Sequence, residues 1–196
     1  MSRWQPNARE RLEDAALQLY AERGFDDTTV DDIARRAGLT ERTFFRYFAD
    51  KREVLFSGQD EFVETITTAL DATLTQGAGS RMNPLDAVAA GFAALGSFFD
   101  HRADRARRRQ HVIDATPALR ERELGKLATT SAALAQALRA HGVEPVTARL
   151  TAEAGLAVFK VAFGTWVART DGGGFGDTVR DAFAELRALS RSSTGT

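Results

Sequence analysis

Thr40, Glu41, Arg42 and Thr43 stand together, and Arg46 and Tyr47 follow about one helical turn later. On a helix laid in a major groove, these are groups that read DNA. An arginine can pair with a guanine edge, and a threonine bonds phosphate or touches a thymine methyl. Residues in the first turn of such a helix reach base edges, while Arg46 and Tyr47 are better placed for backbone phosphate. Taken singly, the same residues also suit a plain surface helix, with Thr40 as its cap and the arginines solvated. What favours DNA is the frame around them.

That frame runs from Thr29 to Phe48 and reads as a helix-turn-helix. Thr29 and Asp32 make a capping pair, so a helix starts at Val30. Val30, Ile33, Ala34 and Ala37 give it one apolar face. Gly38 stops it, because glycine takes the left-handed conformation at a helix end without steric cost. Leu39 plugs the corner, and Thr40 caps a second helix through Phe48. Phe44 and Phe48 lie one turn apart on a single face, and with Phe45 are read as packing. Upstream, a helix from about Asn7 to Arg23 carries Leu12, Ala15, Ala16, Leu19 and Tyr20, and Gly24 ends it. Downstream, Asp50 and Glu53 form another capping pair, which predicts a long helix from Lys51 to about Gln76. Its first-turn N–H groups and Lys51 would together hold a DNA phosphate.

The segment from about Asn7 to Leu55 resembles the DNA-binding domain of the TetR (tetracycline-repressor-like) family. Gly24-Phe25, Thr29-Val30, Ile33-Ala34, Ala37-Gly38 and the run Thr43 to Phe48 followed by Lys51 carry the resemblance. It implies DNA contacts at Thr29, Arg42, Thr43, Tyr47 and Lys51, although many members have a small residue where Arg42 stands. It also implies a homodimer with two heads on a palindromic operator, and a response to a small-molecule effector.

Bulk charge gives the DNA reading no help. The chain of 196 residues has a net charge of −1, and residues 1–55 contain ten Lys/Arg against eleven Asp/Glu. The footprint must be local: Arg42, Arg46, Lys51 and Arg52 cluster, downstream of an acidic stretch at Asp26, Asp27, Asp31 and Asp32. Affinity then comes from a few phosphate contacts made twice by a dimer. With no cysteine, disulfides and thiolate chemistry are excluded. His101, His111 and His141 lack the spacing of a helical metal site, so neither a metal nor a cofactor is expected, and no nucleophile motif points to an enzyme. His101 and His111 flank an arginine-rich helix, Arg102 to Ile113, which reads chiefly as a solvated face and less readily as a second phosphate or acidic-ligand contact. They could line a cavity, though solvent exposure is the simpler reading. No apolar run has the length of a membrane span and Met1 to Trp4 opens no secretory signal, which predicts a cytoplasmic protein.

The remainder predicts an all-α chain of about nine helices. A three-helix DNA-binding domain covers residues 1–55, a linking helix runs on to about 76, and a ligand-binding and dimerisation bundle covers 56–190. A loose arm (1–6) and a tail (191–196) flank them. Helices are expected from Pro84 to about His101, from Pro117 to about Ala140, from Pro145 to about Arg169 and from Phe175 to Leu189. The last two are apolar enough to pair with their twins as a four-helix interface. Phe62, Phe92, Phe98, Phe99, Phe159, Phe163 and Trp166 are more aromatic surface than a small bundle needs, and some are expected to line an apolar pocket. The sum is a dimeric regulator, a repressor released from a palindromic operator by a hydrophobic or amphipathic ligand. The alternative is an all-helical interaction module that has lost DNA binding.

Overall fold

The computed structural model describes residues 7–77, 83–169 and 172–192. The expected arm, most of the 76–84 linker and the end of the tail lie outside them. The described residues contain helices and turns and no strand: α1 (Ala8–Arg23), α2 (Val30–Arg36), α3 (Glu41–Tyr47), α4 (Gln59–Gln76), α5 (Pro84–Ala94), the single-turn α6 (Gly96–Phe99), α7 (Ala103–Ala115), α8 (Pro117–Ala140), α9 (Pro145–Ala168) and α10 (Phe175–Ser192).

The chain divides into two compact units. The first is the segment up to Gly58 together with Arg107–Leu124, and the second is Gln59–Ala106 with the residues from Gly125 onward. The first segment of the first unit ends close to the expected boundary at 55, and residues 107–124 pack on it from further along the chain. Val112, Ile113 and Leu119 belong to the same apolar core as Leu12, Leu19, Ile33 and Phe44. The burial of Val112 and Ile113 is a tertiary event that the neighbouring arginines obscured in the sequence.

Local chemistry explains the head's helices. The Asn7 side chain accepts from the Glu10 N–H at the start of α1. The Thr29–Asp32 capping box is complete at α2, and Thr40 caps α3. Gly38, at φ 65°, turns the chain between α2 and α3. Arg11 donates to the Ala37 carbonyl, giving the end of α2 a partner that its own backbone lacks.

Three predicted elements need correction. The helix expected from Lys51 begins at Gln59, after a short 3-10 turn over Glu53–Phe56. Asp50 does cap, accepting from the N–H groups of Arg52 and Glu53 at 2.8 and 3.2 Å. Glu53, however, turns to Arg122 instead of back to Asp50. The helix expected from Pro84 to His101 breaks at Leu95. There Gly96 packs close to the backbone of Gly176, and Asp100 turns to accept the Phe175 N–H at 2.8 Å, capping α10. Finally, α10 extends to Ser192, past the expected end at Leu189.

In the second unit α5 is the central helix. A Cβ on Gly91 would stand 2.8 Å from the Ile66 carbonyl of α4, and one on Gly176 of α10 would stand 2.9 Å from the Ala93 carbonyl. A Cβ on Gly155 of α9 would collide with Val88. Helices α4 and α10 thus each meet α5 at a glycine close to backbone distance, and α9 meets it with Gly155 against the Val88 and Phe92 side chains. Around these crossings lie Ile66, Leu70, Val88, Phe92, Leu134, Leu138, Phe175 and Phe183, all fully buried.

Candidate nucleic-acid interface

Helix α3 is anchored by its buried face. Phe44 and Phe48 are 0% and 4% exposed and their rings lie 5.4 Å apart. The opposite face carries Glu41, Arg42, Phe45, Arg46 and Tyr47, all exposed, with Thr43 half-buried beside them. Phe45 departs from the packing role expected of it: it touches Phe44 edge-on, but 56% of its surface is open. At about 100° per residue, Phe45 stands more than a quarter-turn round the helix from Phe44, on the open side.

The polar groups of this face are partly preordered. The Thr40 hydroxyl accepts from the Thr43 N–H at 3.3 Å and meets the Thr43 hydroxyl at 3.1 Å. Arg46 lies over the Tyr47 ring and donates to its hydroxyl. Arg42 projects outward. Thr29 is already engaged: both its N–H and its hydroxyl donate to Asp32, at 3.1 and 2.7 Å. Those bonds hold the Asp32 carboxyl below its usual pKa, the hydroxyl bond first, with Arg23 and Arg35 adding to the effect.

The basic cluster predicted from the sequence separates in the structure. Arg52 pairs with Asp50 at 2.6 Å. The Lys51 ammonium donates to the carbonyls of Phe25, Asp26 and Thr28, within the head. Arg42 and Arg46 keep their exposed positions. The acidic stretch is also partly neutralised locally. Asp31 and Asp32 pair with Arg35, Asp32 also lies 3.7 Å from Arg23, and Arg36 binds Glu22 at 2.7 Å.

Residues 53–56 are gripped from α7 and α8 within the same unit. Arg109 donates through Nε to the Leu55 carbonyl at 2.7 Å, lies over the Phe56 ring and pairs with Glu123 at 3.3 Å. Arg109 therefore departs from the solvated face expected of α7. Its role was not legible in an arginine run, since nothing in the spacing singles it out. A half-open polar cavity of about 250 Å³ lies in this unit, between Tyr20–Asp27 and His111–Thr116. His111 lines it, as the sequence allowed, and is itself exposed.

The seven aromatic residues predicted to form a ligand site do come together in the second unit. Phe92, Phe159 and Trp166 are buried, while Phe62, Phe98, Phe99 and Phe163 are half-buried. They meet ring to ring: Phe62 lies 5.5 Å from Phe159, Phe92 stacks on Phe159 at 5.1 Å, and Phe99 contacts Phe98 at 5.0 Å and Trp166 at 5.6 Å. Phe175 and Phe183 complete the cluster and were missed, because each reads in the sequence as an ordinary core position of the last helix. The rings fill much of the space between them with one another.

Comparison with known proteins finds two family models along the chain. Residues 12–57 match the model of bacterial regulatory proteins of the tetR family, and residues 82–190 match that of the MftR C-terminal domain. A protein of Mycobacterium tuberculosis named as a mycofactocin biosynthesis transcriptional regulator, MftR, is 36% identical over 108 residues, which cover 55% of this chain and 52% of that one. The match spans 52% of that relative's length, and for TcmR of Streptomyces glaucescens (37% identical over 87 residues) it spans 36%. Among solved structures, a transcriptional regulator from Aquifex aeolicus superposes with a TM-score of 0.57 at 15% identity, covering 93% of this chain and 99% of that one. FadR from Bacillus subtilis, in complex with stearoyl-CoA, gives 0.55 at 18% identity over 90% and 96%. These likenesses establish the fold.

Proposed function

The chain belongs to the TetR family of bacterial regulatory proteins, with a C-terminal domain of the MftR type, and from that membership we propose that it is a homodimeric repressor. It binds a palindromic operator through α3 and leaves it when a hydrophobic or amphipathic small molecule binds the aromatic bundle. The observation that carries the reading is the face of α3: Arg42, Thr43, Arg46 and Tyr47 are presented together on a helix whose other side is locked by Phe44 and Phe48. Arg42 and Thr43 read base edges, while Arg46 and Tyr47 take phosphate.

The proposed dimer interface is the outer faces of the last two helices. Val146, Leu150 and Val161 of α9 and Leu189 of α10 are each at least 60% exposed in the single chain, and Ala157, Gly164 and Ala168 continue the α9 face with small residues. A twin chain laid against this surface buries it and supplies the second head. The effector site is placed at the half-buried rings Phe62, Phe98, Phe99 and Phe163, backed by Phe92, Phe159 and Trp166. The stearoyl-CoA bound by FadR is a ligand of the amphipathic kind proposed. Coupling requires only that the ligand bind the operator-competent arrangement more weakly than another.

The test is selection of bound duplexes from a random DNA pool with purified protein at moderate salt. An enriched palindrome is the expected result. A folded dimer that enriches nothing would overturn the operator reading.

A further inference from the structure

An ammonium group is a compact charge with three N–H donors and no acceptor. In this head all three directions of Lys51 are filled by one turn. Nζ lies 2.8 Å from the carbonyl of Phe25, 3.3 Å from that of Asp26 and 2.9 Å from that of Thr28, and 4.3 Å from the centroid of the Phe25 ring. The backbone of Lys51 is held as well, its carbonyl accepting the Tyr20 hydroxyl at 2.6 Å. Burial, reinforced by the charge of Asp50, raises the pKa of that phenol, so it stays a donor.

Carbonyls that converge from one turn bring the negative ends of their dipoles together. A point cation with three donors relieves this, whereas the flat fork of a guanidinium does not match three converging acceptors. The turn has a destination. Thr28 is fully buried and its hydroxyl donates to the Gly24 carbonyl at 2.7 Å; the next residue, Thr29, is the N-cap of α2. Lys51 thereby ties the end of α1 to the start of α2, from a position just beyond α3.

We infer that Lys51 is a positioning residue for DNA binding: it seats Thr29 and α2 through the turn Phe25–Thr28 and is not itself a phosphate ligand. The inference rests on the operator reading above. A duplex that the wild-type chain binds is therefore the starting material of the test. If the wild type binds none, the operator reading falls first; the outcomes for Lys51 are read only on a duplex it does bind.

Two variants and one spectrum decide it. Lys51→Met, with circular dichroism to follow the fold, should weaken binding about tenfold or more, since three carbonyls lose a charged donor. The slope of log affinity against log salt should stay at the wild-type value. Lys51→Arg, which keeps the charge, should not restore affinity. A phosphate ligand would behave oppositely: the slope would shrink by about 0.9 for each head in Lys51→Met, and Lys51→Arg would rescue. Either of those results, or wild-type affinity in Lys51→Met, overturns the proposal. The spectrum needs no variant, because the chain has only three lysines, Lys51, Lys126 and Lys160. The Lys51 ammonium signal should be protected from exchange in the free protein and unchanged when duplex is added. A coupling from it to phosphorus in the complex would overturn the proposal even if Lys51→Met failed to fold.

Discussion

The guanidinium carbon of Arg46 sits 4.9 Å from the centroid of the Tyr47 ring, and its Nη2 donates to the Tyr47 hydroxyl at 3.1 Å. Each side chain holds the other in one rotamer on the exposed face of α3, before any DNA arrives. Ordering that would otherwise oppose binding is thus already in place.

The pair should therefore act as a unit. Tyr47→Phe keeps the ring and removes the hydrogen bond, which should weaken operator binding by about 0.5–1.5 kcal/mol. Combined with Arg46→Ala, the losses should fall short of their sum by about 0.5 kcal/mol or more. Fluorescence anisotropy on a labelled duplex measures the cycle; strict additivity would mean that the stack has no part in binding.

Arg42 should behave differently from Arg46. Arg42→Ala should cost about 1–3 kcal/mol and relax preference at one base pair of each half-site, whereas Arg46→Ala should weaken all sequences alike and reduce the salt slope by about 1 per head. Repeating the pool selection with each variant separates the two. An unchanged consensus from Arg42→Ala would remove it from base readout.

Much of this head is legible because its decisive contacts are local. Thr29 with Asp32, Gly38, and Thr40 with Thr43 each act within a few residues, so their types and spacing suffice. Lys51, Arg109 and the break at Leu95 are different. Each answers to a partner distant in sequence: the carbonyls of Phe25–Thr28, the carbonyl of Leu55, the backbone of Gly176. The aromatic cluster was half legible. Seven of its members stood out by type, but which rings are sealed and which are half-open depends on how α5, α9 and α10 cross.

Arg109→Met should destabilise the head specifically. It leaves the Leu55 carbonyl and Glu123 without their cation, a loss of about 1–3 kcal/mol for a partly buried charged hydrogen bond. Hydrogen exchange should speed up at Val54–Phe56 and at the buried amides of α7, while α9 keeps its wild-type rates. Equal acceleration in both units would refute the assignment.

Leu150→Arg with Val161→Arg should yield folded monomers. Both positions are 66% exposed in the isolated chain, so a charge there meets water in the monomer and an apolar twin in the dimer. Sedimentation velocity across a concentration series gives the answer, and a persisting dimer would move the interface elsewhere.

Acid should loosen the head first. Bonds to Arg36, Thr29 and Arg52 respectively are the leading causes that hold the carboxyls of Glu22, Asp32 and Asp50 below their ordinary pKa values. The unfolded chain therefore binds protons more readily near pH 4. The stabilisation from these groups is complete above the unfolded carboxylate pKa and disappears as pH falls through the lower folded values. Denaturation midpoints should stay level from pH 8 to about 5 and drop below about 4. Asp32→Asn should shallow that drop, and an unaltered acid limb would count against the capping box as its source.

The glycine crossings on α5 set the terms for re-engineering the proposed effector site. With Gly91 and Gly176 close to backbone carbonyls and Gly155 against the Val88 side chain, the three neighbouring helices are geared to α5 and leave little slack for a larger residue there. A library aimed at a new effector should hold these three positions fixed and diversify Phe62, Phe98, Phe99 and Phe163, where truncating a half-buried ring opens volume without unseating a helix. Selectivity would then be tuned by carving guest-shaped space out of side chains, with the helical scaffold left untouched.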